Sequence, residues 1–350
     1  MTDSFVDLDT TKMPDLSWRI ARIPKKSGGM RTLHIPNDEL KRVQRQVLEY
    51  LYQFETLRPK MQCVGFVPGR DTMSGLVQHD TRAMFVICMD VKDFFDNCPK
   101  QLAEMELLSA GVPATKVDYI LKVCTYEGSF AQGAPSSPYL ANIAMARFDA
   151  FMRAFAHRRG LTYTRYADDI TVAENIAYMP NDPTMRVYIP KYYSMQGHKV
   201  VREQGAIYLV IRGIEKLLTV CSNKALRINT KKTRVAWRVG GNASRRVTGV
   251  VMRNDSLGYN APRKFRKQTR AICHNLYMLL KDNPALASDY WPTWRKLKGC
   301  VTYCDRIRLH SLTADTAAHD PFIDNDKYNY LKGLFEPTKA KGETNDSSNY

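Results

Sequence analysis

Two adjacent carboxylates, Asp168 and Asp169, are the residues of this chain whose type and spacing most clearly suggest chemistry. They lie between residues 161–165 and 170–173, whose compositions favour β-strands, so the sequence predicts a tight hairpin with both acids at its turn. Joined by a third aspartate from a neighbouring strand, such a pair can hold two Mg²⁺ ions about 3.5–4 Å apart for phosphoryl transfer. An Asp-Asp turn is also common on protein surfaces, so the hypothesis depends on that third acid.

Asp90 is the candidate for the third ligand. It follows residues 84–89, an apolar and partly β-branched run that predicts a buried strand ending at a sheet edge. The backbone carbonyl of Val91 could supply a further oxygen, since Mg²⁺ prefers hard oxygen ligands. The alternative is that Asp90 only begins a loop or caps the next helix.

A polar loop around Gln132 and Gly133 is the next feature with chemical potential. The prolines that follow prevent a helix before Pro138, and Ser137 is the predicted N-cap of a helix over residues 139–156. Such a loop can offer backbone N–H groups and the glutamine amide to a sugar, base or phosphate. The alternative is a capped helix start with no further role.

A basic hairpin is predicted near the beginning of the chain. Gly28 and Gly29 are a turn signal between short β-prone segments, which carry Lys25, Lys26 and Arg31. Three cations on a hairpin could clamp a triphosphate. Basic residues also protect exposed strand edges from aggregation, and the sequence leaves both interpretations open.

In chain order, these four segments resemble the reverse transcriptases, and specifically the bacterial retron type. The resemblance continues through residues 226–234, which look like the family's next palm motif, and through Val247-Thr248-Gly249, which look like the triplet that marks retron enzymes. It covers residues 20–310, or most of the chain. It implies an α+β right-hand polymerase with fingers, a palm made of a small antiparallel sheet backed by helices, and a helical thumb.

The resemblance also implies how the chain is divided. A basic, helical thumb would follow the fingers and palm, and the polar composition of the last residues predicts a disordered tail. An insertion in the palm is predicted to be a loop or small hairpin, and its aromatic residues leave open a partner contact or packing on the palm. The predicted ranges are 1–255 for fingers and palm, roughly 80–107 and 141–255 for the palm alone, 174–204 for the insertion, 256–335 for the thumb and 336–350 for the tail.

Roles for individual residues follow from the resemblance. Asp90, Asp168 and Asp169 would bind two catalytic Mg²⁺ ions, with Val91 as a further ligand. Phe95 would be the steric gate that excludes a ribose 2′-hydroxyl, so that deoxynucleotides are preferred; alternatively, it is simply a core aromatic.

The remaining nucleotide-binding roles concern the triphosphate. One of two adjacent lysines would protonate or stabilise the leaving pyrophosphate, and the sequence does not decide which. The residues expected to bind nucleotide or template are Lys25, Lys26, Arg31, Phe95, Gln132, Gly133, Lys231 and Lys232.

Two features depart from the retron pattern. The stretch from Asp169 to Lys232, which contains the insertion, is longer than family members typically need, and one motif is incomplete. Residues 65–70 match the Gly-Phe-x-x-x-Arg stretch of these enzymes, but only His79 remains of the Asn-Ala-x-x-His element that follows it. The usual local contacts to RNA are therefore in doubt, and a lone histidine is more often structural than functional.

Composition agrees with a polyanionic partner. The 350 residues are 44% hydrophobic and carry a formal net charge of +17, which favours nucleic acid because cations that neutralise phosphates release counterions. We predict no membrane anchor, since long apolar runs are missing. Eight scattered cysteines favour free thiols in a reducing bacterial cytoplasm, and Cys300 with Cys304 lacks the second ligand pair of a zinc site.

The predicted thumb has the composition of an RNA-binding surface. Basic helices with interleaved aromatic residues can lie along a duplex and select an RNA by its shape and backbone. The predicted RNA-binding residues, including the triplet, are Val247, Thr248, Gly249, Arg263, Lys264, Arg266, Lys267, Arg270, Lys296, Lys298 and Tyr303.

The resemblance also implies the substrates and partners. These are deoxynucleotides, a cognate structured non-coding RNA, its branched or RNA-linked single-stranded DNA product, and a separately encoded effector protein in an anti-phage defence system. Two alternatives stay open: a diversity-generating or group II intron reverse transcriptase, and an RNA-binding scaffold that does not polymerise. The chain length disfavours an intron enzyme, while the three aspartates and Phe95 disfavour a scaffold.

Overall fold

The structure, a computed structural model, describes residues 6–25, 28–175, 205–238, 244–253, 258–309 and 323–336. The chain divides into two compact units, Met1–Thr248 and Gly249–Tyr350. The elements of the first unit are β1 (Trp18–Pro24), β2 (Met30–Pro36), α1 (Asp38–Tyr52), α2 (Thr72–Leu76), β3 (Phe85–Asp90), α3 (Phe94–Asn97), α4 (Lys100–Ser109), α5 (Ala114–Cys124), β4 (Thr125–Tyr126), β5 (Ser129–Phe130), α6 (Ser137–Ala144), α7 (Ala146–His157), β6 (Leu161–Tyr166), β7 (Asp169–Glu174), α8 (Ala206–Cys221), β8 (Arg234–Trp237) and β9 (Arg246–Val247). Those of the second unit are β10 (Val250–Met252), β11 (Tyr259–Asn260), α9 (Arg263–Leu280), α10 (Trp291–Leu309) and α11 (Asn325–Phe335).

A four-stranded antiparallel sheet forms the centre of the first unit. Its strand order is β6-β7-β3-β8, so β3 lies between β7 and β8. β3 is buried along almost its whole length, which explains its nearly continuous apolar sequence. The α+β class and the small antiparallel palm sheet are thereby confirmed.

The predicted hairpin at the start of the chain is also present. β1 and β2 pair antiparallel with Pro24 opposite Met30, and the Lys25 N–H donates to the carbonyl of Gly29 at 2.9 Å. Gly28 and Gly29 have φ angles of 87° and 80°. These left-handed angles favour glycine, because a Cβ atom would clash there.

Several helices surround the sheet. α1 buries one apolar face and is capped by Asn37, whose Oδ1 accepts a hydrogen bond from the Leu40 N–H at 2.7 Å. α4 and α5 follow each other and are separated near Gly111, whose φ is 86°. α8 follows β7 in the described chain.

The prediction of one helix over residues 139–156 is wrong in two details. α6 begins at Ser137, so the N-cap is Ser136 rather than Ser137. The run also breaks into α6 and α7 at Met145, whose N–H is shared between the carbonyls of Ala141 and Asn142 at 3.1 and 3.2 Å. Such shared bonds mark a helix end, which periodicity alone does not reveal.

The second unit is mainly helical. β10 and β11 pair antiparallel, and the three helices bury a small core in which the rings of Trp294 and Phe335 stack with centroids 5.2 Å apart. The basic residues Arg263, Lys264, Arg266, Lys267 and Arg270 lie within α9, because that helix begins directly after Pro262. Across the described ranges, no helix is both long and apolar enough to cross a membrane.

Candidate active site

The backbone ladder between β3 and β7 brings three aspartates to one edge of the sheet. Asp90, the last residue of β3, lies directly opposite Asp169, the first residue of β7. The ladder continues one step further, since the Val91 N–H donates to the carbonyl of Asp168 at 2.9 Å. One continuous set of backbone hydrogen bonds therefore connects Asp90, Asp168 and Asp169.

The turn that carries two of these acids is strained. Tyr166 and Asp169 close the β6-β7 hairpin, which leaves Ala167 and Asp168 as its two loop residues. Ala167 has a φ of 52°, whereas Asp168 does not have a positive φ, the pattern of a type II′ turn. Glycine is usual at that first position, so alanine there costs on the order of 1 kcal/mol. Surrounding contacts must hold this conformation.

One such contact comes from a segment that pairs with the end of β6. Cys63 forms a parallel bridge with Arg165, which brings Gly65 against the turn. A Cβ atom on Gly65 would lie 2.9 Å from the backbone nitrogen of Ala167 and 3.0 Å from the ring of Tyr166. The next residue, Phe66, also has a positive φ of 58° and places its ring centroid 5.6 Å from that of Tyr166. Only glycine fits at position 65 without moving the turn.

The third aspartate is paired with a lysine. The segment after α8 is held beside it, since the N–H of Asn229 donates to the carbonyl of Asp90 at 2.7 Å. This register aims Lys232, which contacts both carboxylate oxygens of Asp90, the second at 3.2 Å. Its hydrogen bond to Asp90 raises the pKa of the Lys232 ammonium, so the side chain is charged at neutral pH. Of the two lysines that the sequence left open, Lys232 is therefore the one placed at the carboxylates.

The two turn aspartates are unusually reluctant to ionise. Burial is the main cause of the raised pKa of Asp168, and the negative charge of Asp90 adds to it. For Asp169, which still reaches solvent, partial removal from water and the charges of Asp168 and Asp90 raise the pKa from an ordinary 3.8 to about 6. Lys232 acts in the opposite direction on both, and Arg31 does so on Asp168. The site thus carries an excess of negative charge.

This donor set fits divalent cations by its chemistry. Crowded carboxylates with raised pKa values gain stability when a cation neutralises them, and carboxylate oxygens are the ligands that Mg²⁺ prefers. Within the part of the chain that the structure describes, no three Asp, Glu, His or Cys side chains are yet close enough to enclose an ion. An ion on Asp90 would take the place that the ammonium of Lys232 occupies. Among the backbone hydrogen bonds of the described residues outside helices and strands, none is accepted by the carbonyl of Val91.

The predicted nucleotide-binding loop packs on the basic hairpin. The N–H of His34, on β2, donates to the carbonyl of Gln132 at 2.9 Å. Gly133 has a φ of 118°, and a Cβ atom there would lie 3.1 Å from the carbonyl oxygen of His34. The Gln132 amide also donates to the carboxylate of Asp96 at 3.2 Å, beside the half-buried Phe95. The loop, the hairpin and the residue next to Phe95 are therefore connected.

The hairpin cations are only partly described. Lys25 and Arg31 are exposed, and Arg31 lies close enough to the turn to favour the ionised form of Asp168. Lys26 lies outside the described residues. Lys231 is exposed as well, next to Lys232.

The predicted RNA-binding residues differ in exposure. Val247 is fully buried, whereas Thr248 is partly exposed and its hydroxyl donates to the carbonyl of Thr72 at 3.3 Å. Gly249 is exposed with a φ of 88°. In the second unit, Arg266 and Tyr303 are partly buried, and the exposed predicted residues are Arg263, Lys264, Lys267, Arg270, Lys296 and Lys298.

A cleft of about 590 Å³ lies on one side of α10, lined among others by Trp291, Lys298, Tyr303 and Arg306. Lys298 also pairs with Glu336 at 2.7 Å. The cleft combines aromatic surface with positive charge, as sites for nucleic acid commonly do.

Some predictions concern other parts of the chain. His79 is fully buried, its Nε2 lies 2.7 Å from the hydroxyl of Thr164, and burial lowers its pKa to about 3, so it is a neutral structural residue. The insertion beyond residue 175 and the tail from 337 onward lie outside the described residues.

Sequence reasoning missed Arg165 beneath the turn and its partner Asp149. Arg165 donates to the carbonyl of Ala167 at 3.0 Å and pairs with Asp149 at 2.7 Å. The available signal was Asp149 itself, an acid between the apolar residues Phe148 and Met152 on α7. A buried acid needs a cationic or hydrogen-bonding partner.

Three aspartates at the end of an antiparallel sheet, beside a lysine and a basic hairpin, define the palm of a nucleotidyltransferase. The sequence profile of the family described as "Reverse transcriptase (RNA-dependent DNA polymerase)" matches residues 23–261, which include the three aspartates, the lysine and the cations of the hairpin. The chain therefore belongs to the reverse transcriptase family and is an RNA-directed DNA polymerase. The resemblance to reverse transcriptases predicted from the sequence is confirmed, and RNA is a partner.

Curated relatives specify the retron type. The chain is 29% identical to the retron Ec86 reverse transcriptase of Escherichia coli over 75% of its own length and 71% of that enzyme. It is 33% identical to the retron Mx65 enzyme of Myxococcus xanthus and 30% identical to the retron Mx162 enzyme of the same organism, over 72% and 74% of its length. It spans only about half of those two, 54% and 52%.

Solved structures include a telomerase from Candida albicans in complex with a fragment of telomeric RNA. The TM-score is 0.45 at 12% identity, over 93% of this chain and 62% of the telomerase.

Replacing Gly65 with alanine tests the close approach to the turn. Because the added methyl group must displace the Ala167 backbone, we expect the rate of nucleotide addition to fall about 10- to 100-fold. Gly333→Ala is the matched control, since space around that residue on α11 is open. Single-nucleotide addition at saturating substrate measures the effect; a wild-type rate for Gly65→Ala would contradict it.

The raised pKa of Asp169 predicts a pH-dependent stability. Its folded pKa of about 6 exceeds the unfolded value, so the protonated carboxyl contributes stability that is fully present below about pH 4 and is lost as the pH rises from about 4 to above 6. Without divalent ions, Asp169→Asn should therefore melt above wild type at pH 8, with the difference shrinking at pH 4.5. Thermal melts in chelator measure this, with Asp118→Asn on α5 as a surface control. A lower melting temperature for Asp169→Asn at pH 8 would show that the charge is stabilising.

Proposed function

We propose that this chain extends a primer hydroxyl on a cognate structured RNA by two-metal nucleotidyl transfer, with Asp90, Asp168 and Asp169 as the metal-binding acids. The observation that supports it most is the register that sets Asp90 opposite Asp169, extended by the bond from Val91 to Asp168. Dependence on divalent metal is general in reverse transcriptases, and two Mg²⁺ ions per site are the proposal.

The acids and the lysine would have different roles in the reaction. When bound, the two ions supply Lewis acidity at the attacking hydroxyl and at the leaving pyrophosphate. The side chains of Asp168 and Asp169, fixed on a strained turn, orient the reacting groups with little freedom to move. Lys232 is charged and adjacent to all three acids, so it would stabilise or protonate the pyrophosphate once it leaves Asp90. Lys231, its exposed neighbour, would then have at most a phosphate-binding role.

Nucleotide selection would use the parts connected to the hairpin. Lys25, Lys26 and Arg31 would bind the triphosphate, and the electrostatic effect of Arg31 on Asp168 supports this for one of the three. The loop at Gln132 and Gly133 would contact the nucleotide and template, and Phe95 would exclude a 2′-hydroxyl.

The RNA would be bound mainly by the second unit. Its exposed cations neutralise phosphates, and the aromatic residues of the cleft beside α10 can stack on bases. In the first unit, Thr248 is the partly exposed member of the retron triplet, since Val247 is buried. The product would be a branched or RNA-linked single-stranded DNA, made in the bacterial cytoplasm and used with a separately encoded effector in anti-phage defence.

Extension of a co-expressed RNA tests this function. Purified with RNA from its own locus and supplied with deoxynucleotides and Mg²⁺, wild type should produce DNA covalently joined to that RNA. Asp168→Asn with Asp169→Asn should abolish the product, whereas Asp118→Asn, an exposed acid on α5, should not. The double variant losing no activity, or wild type making no DNA, would overturn the proposal. DNA made only on an unrelated template would instead favour another reverse transcriptase class.

Phe95→Ala should relax sugar selection. Removing the ring opens the space that a 2′-hydroxyl needs, so the ratio of ribonucleotide to deoxynucleotide incorporation should rise at least about tenfold, or 1.4 kcal/mol. Phe151→Ala, an exposed aromatic on α7, is the control and should leave the ratio unchanged. Paired kcat/KM measurements with one deoxynucleotide and its ribonucleotide provide the test; an unchanged ratio in Phe95→Ala would assign that ring to the core alone.

A further inference from the structure

A buried guanidinium lies directly beneath the catalytic turn. Arg165 precedes Tyr166 at the end of β6 and has no exposed surface. Arginine has five N–H donors and is almost never fully buried unless they are paired. Here each donor has an acceptor, at distances of 2.7 to 3.3 Å.

One side of the guanidinium is fixed by a carboxylate. Nε and one terminal nitrogen donate to the two oxygens of Asp149 at 2.8 and 2.7 Å, a bidentate arrangement that sets the plane of the group. Tyr163 donates its hydroxyl to the same carboxylate at 2.6 Å, which restrains Asp149 in turn. The charge of Arg165 is thereby balanced within the core.

The other side faces the turn. The second terminal nitrogen donates to the carbonyl of Ala167 at 3.0 Å and to the amide oxygen of Asn142 at 2.9 Å. The amide nitrogen of Asn142 donates to the carbonyl of Gly65 at 2.7 Å. Gly65 is the residue that packs against the Ala167 nitrogen. The network therefore supports the turn both from beneath and from the side.

We propose that Arg165 is a positioning residue, whose guanidinium, fixed by Asp149 and Asn142, holds the strained Ala167 turn and with it the carboxylates of Asp168 and Asp169. This inference rests on the proposed function, since it concerns the geometry of the same metal-binding acids. It adds a residue that touches neither substrate nor metal.

Stability alone does not account for such a network. Replacing a buried ion pair by apolar side chains of similar volume is often neutral or stabilising. An apolar group, however, cannot donate to the Ala167 carbonyl, and a lysine has no planar fork with which to reach Asp149 and that carbonyl together. Arginine is required because its donors point in two directions at once, toward the carboxylate of Asp149 and toward the carbonyl of Ala167.

Two variants of the network and one matched control separate positioning from stability. Arg165→Lys keeps the charge but loses the fork. A triple variant, Arg165→Met with Asp149→Leu and Tyr163→Phe, replaces the ionic cluster by apolar groups. Arg245→Lys is the control, because Arg245 is equally buried but donates to the carbonyls of Thr81 and Ala83, at 2.8 and 2.7 Å.

Four experiments would be carried out on each full-length variant. Melting temperature reports general stability, and hydrogen exchange of peptides covering residues 161–174 reports the turn itself. Affinity for Mn²⁺, followed by the spin resonance signal of the free ion, reports the carboxylates. Single-nucleotide addition gives kcat and the KM for the deoxynucleotide.

We expect faster exchange at the turn, at least about tenfold weaker Mn²⁺ binding and at least about tenfold lower kcat in both network variants. The KM should stay within about twofold, because the basic hairpin is untouched. The triple variant should show these losses even if its melting temperature equals that of wild type. Arg245→Lys should lower only the melting temperature.

Wild-type exchange, Mn²⁺ affinity and kcat in a folded triple variant or in Arg165→Lys would overturn the positioning role. An equal loss of kcat in Arg245→Lys would also overturn it, since general destabilisation would then suffice. A wild type that neither binds Mn²⁺ nor adds nucleotide would count against the proposed function. The exchange rates at the turn alone would in that case support or overturn the role of Arg165.

Discussion

The backbone ladder between β3 and β7 is the constraint on which the rest of the site depends. In antiparallel pairing, the register decides which residues face each other, and a shift by one residue would turn every side chain to the other face of the sheet. Here Asp90 lies opposite Asp169, and the bond from Val91 to the Asp168 carbonyl extends the pairing to the turn. Burial of β3 on both faces makes any other register costly.

The ladder places three acids together at an electrostatic cost. Partial burial and mutual repulsion raise the pKa values of Asp168 and Asp169, and Lys232 on Asp90 offsets part of that unfavourable charge. Neutral residues at these positions would make the folded chain more stable. Bound cations would stabilise the charged carboxylates most. The strained backbone of Ala167 adds a second local cost. Such strain persists only where surrounding contacts over-determine the conformation.

Much of the fold could be predicted from the sequence, because its signals are local. Gly28 and Gly29 between β-prone segments predicted the first hairpin, and the apolar run before Asp90 predicted the central strand. The break at Met145 was missed because it depends on hydrogen bonds within a continuously apolar helical run. The start of α6 at Ser137 was also missed, and Ser136 makes no side-chain capping bond that would mark it.

Details of the site depend on contacts between distant segments. The position of Lys232, rather than Lys231, at the carboxylate of Asp90 follows from the bridge between Val91 and Ile228, which no local pattern encodes. Arg165 falls in a strand whose alternation permits an outward polar residue, so its complete burial could not be predicted without knowing that Asp149 lies opposite.

The central claim is that Asp90, Asp168 and Asp169 act as one metal-binding unit. A crystal structure of the chain with RNA template, primer, a non-reactive deoxynucleotide and Mn²⁺ tests it most directly through anomalous scattering. We expect two manganese peaks about 3.5–4 Å apart, both bound by these carboxylates, with the ammonium of Lys232 moved off Asp90. Manganese bound elsewhere, with Lys232 still on Asp90, would contradict it.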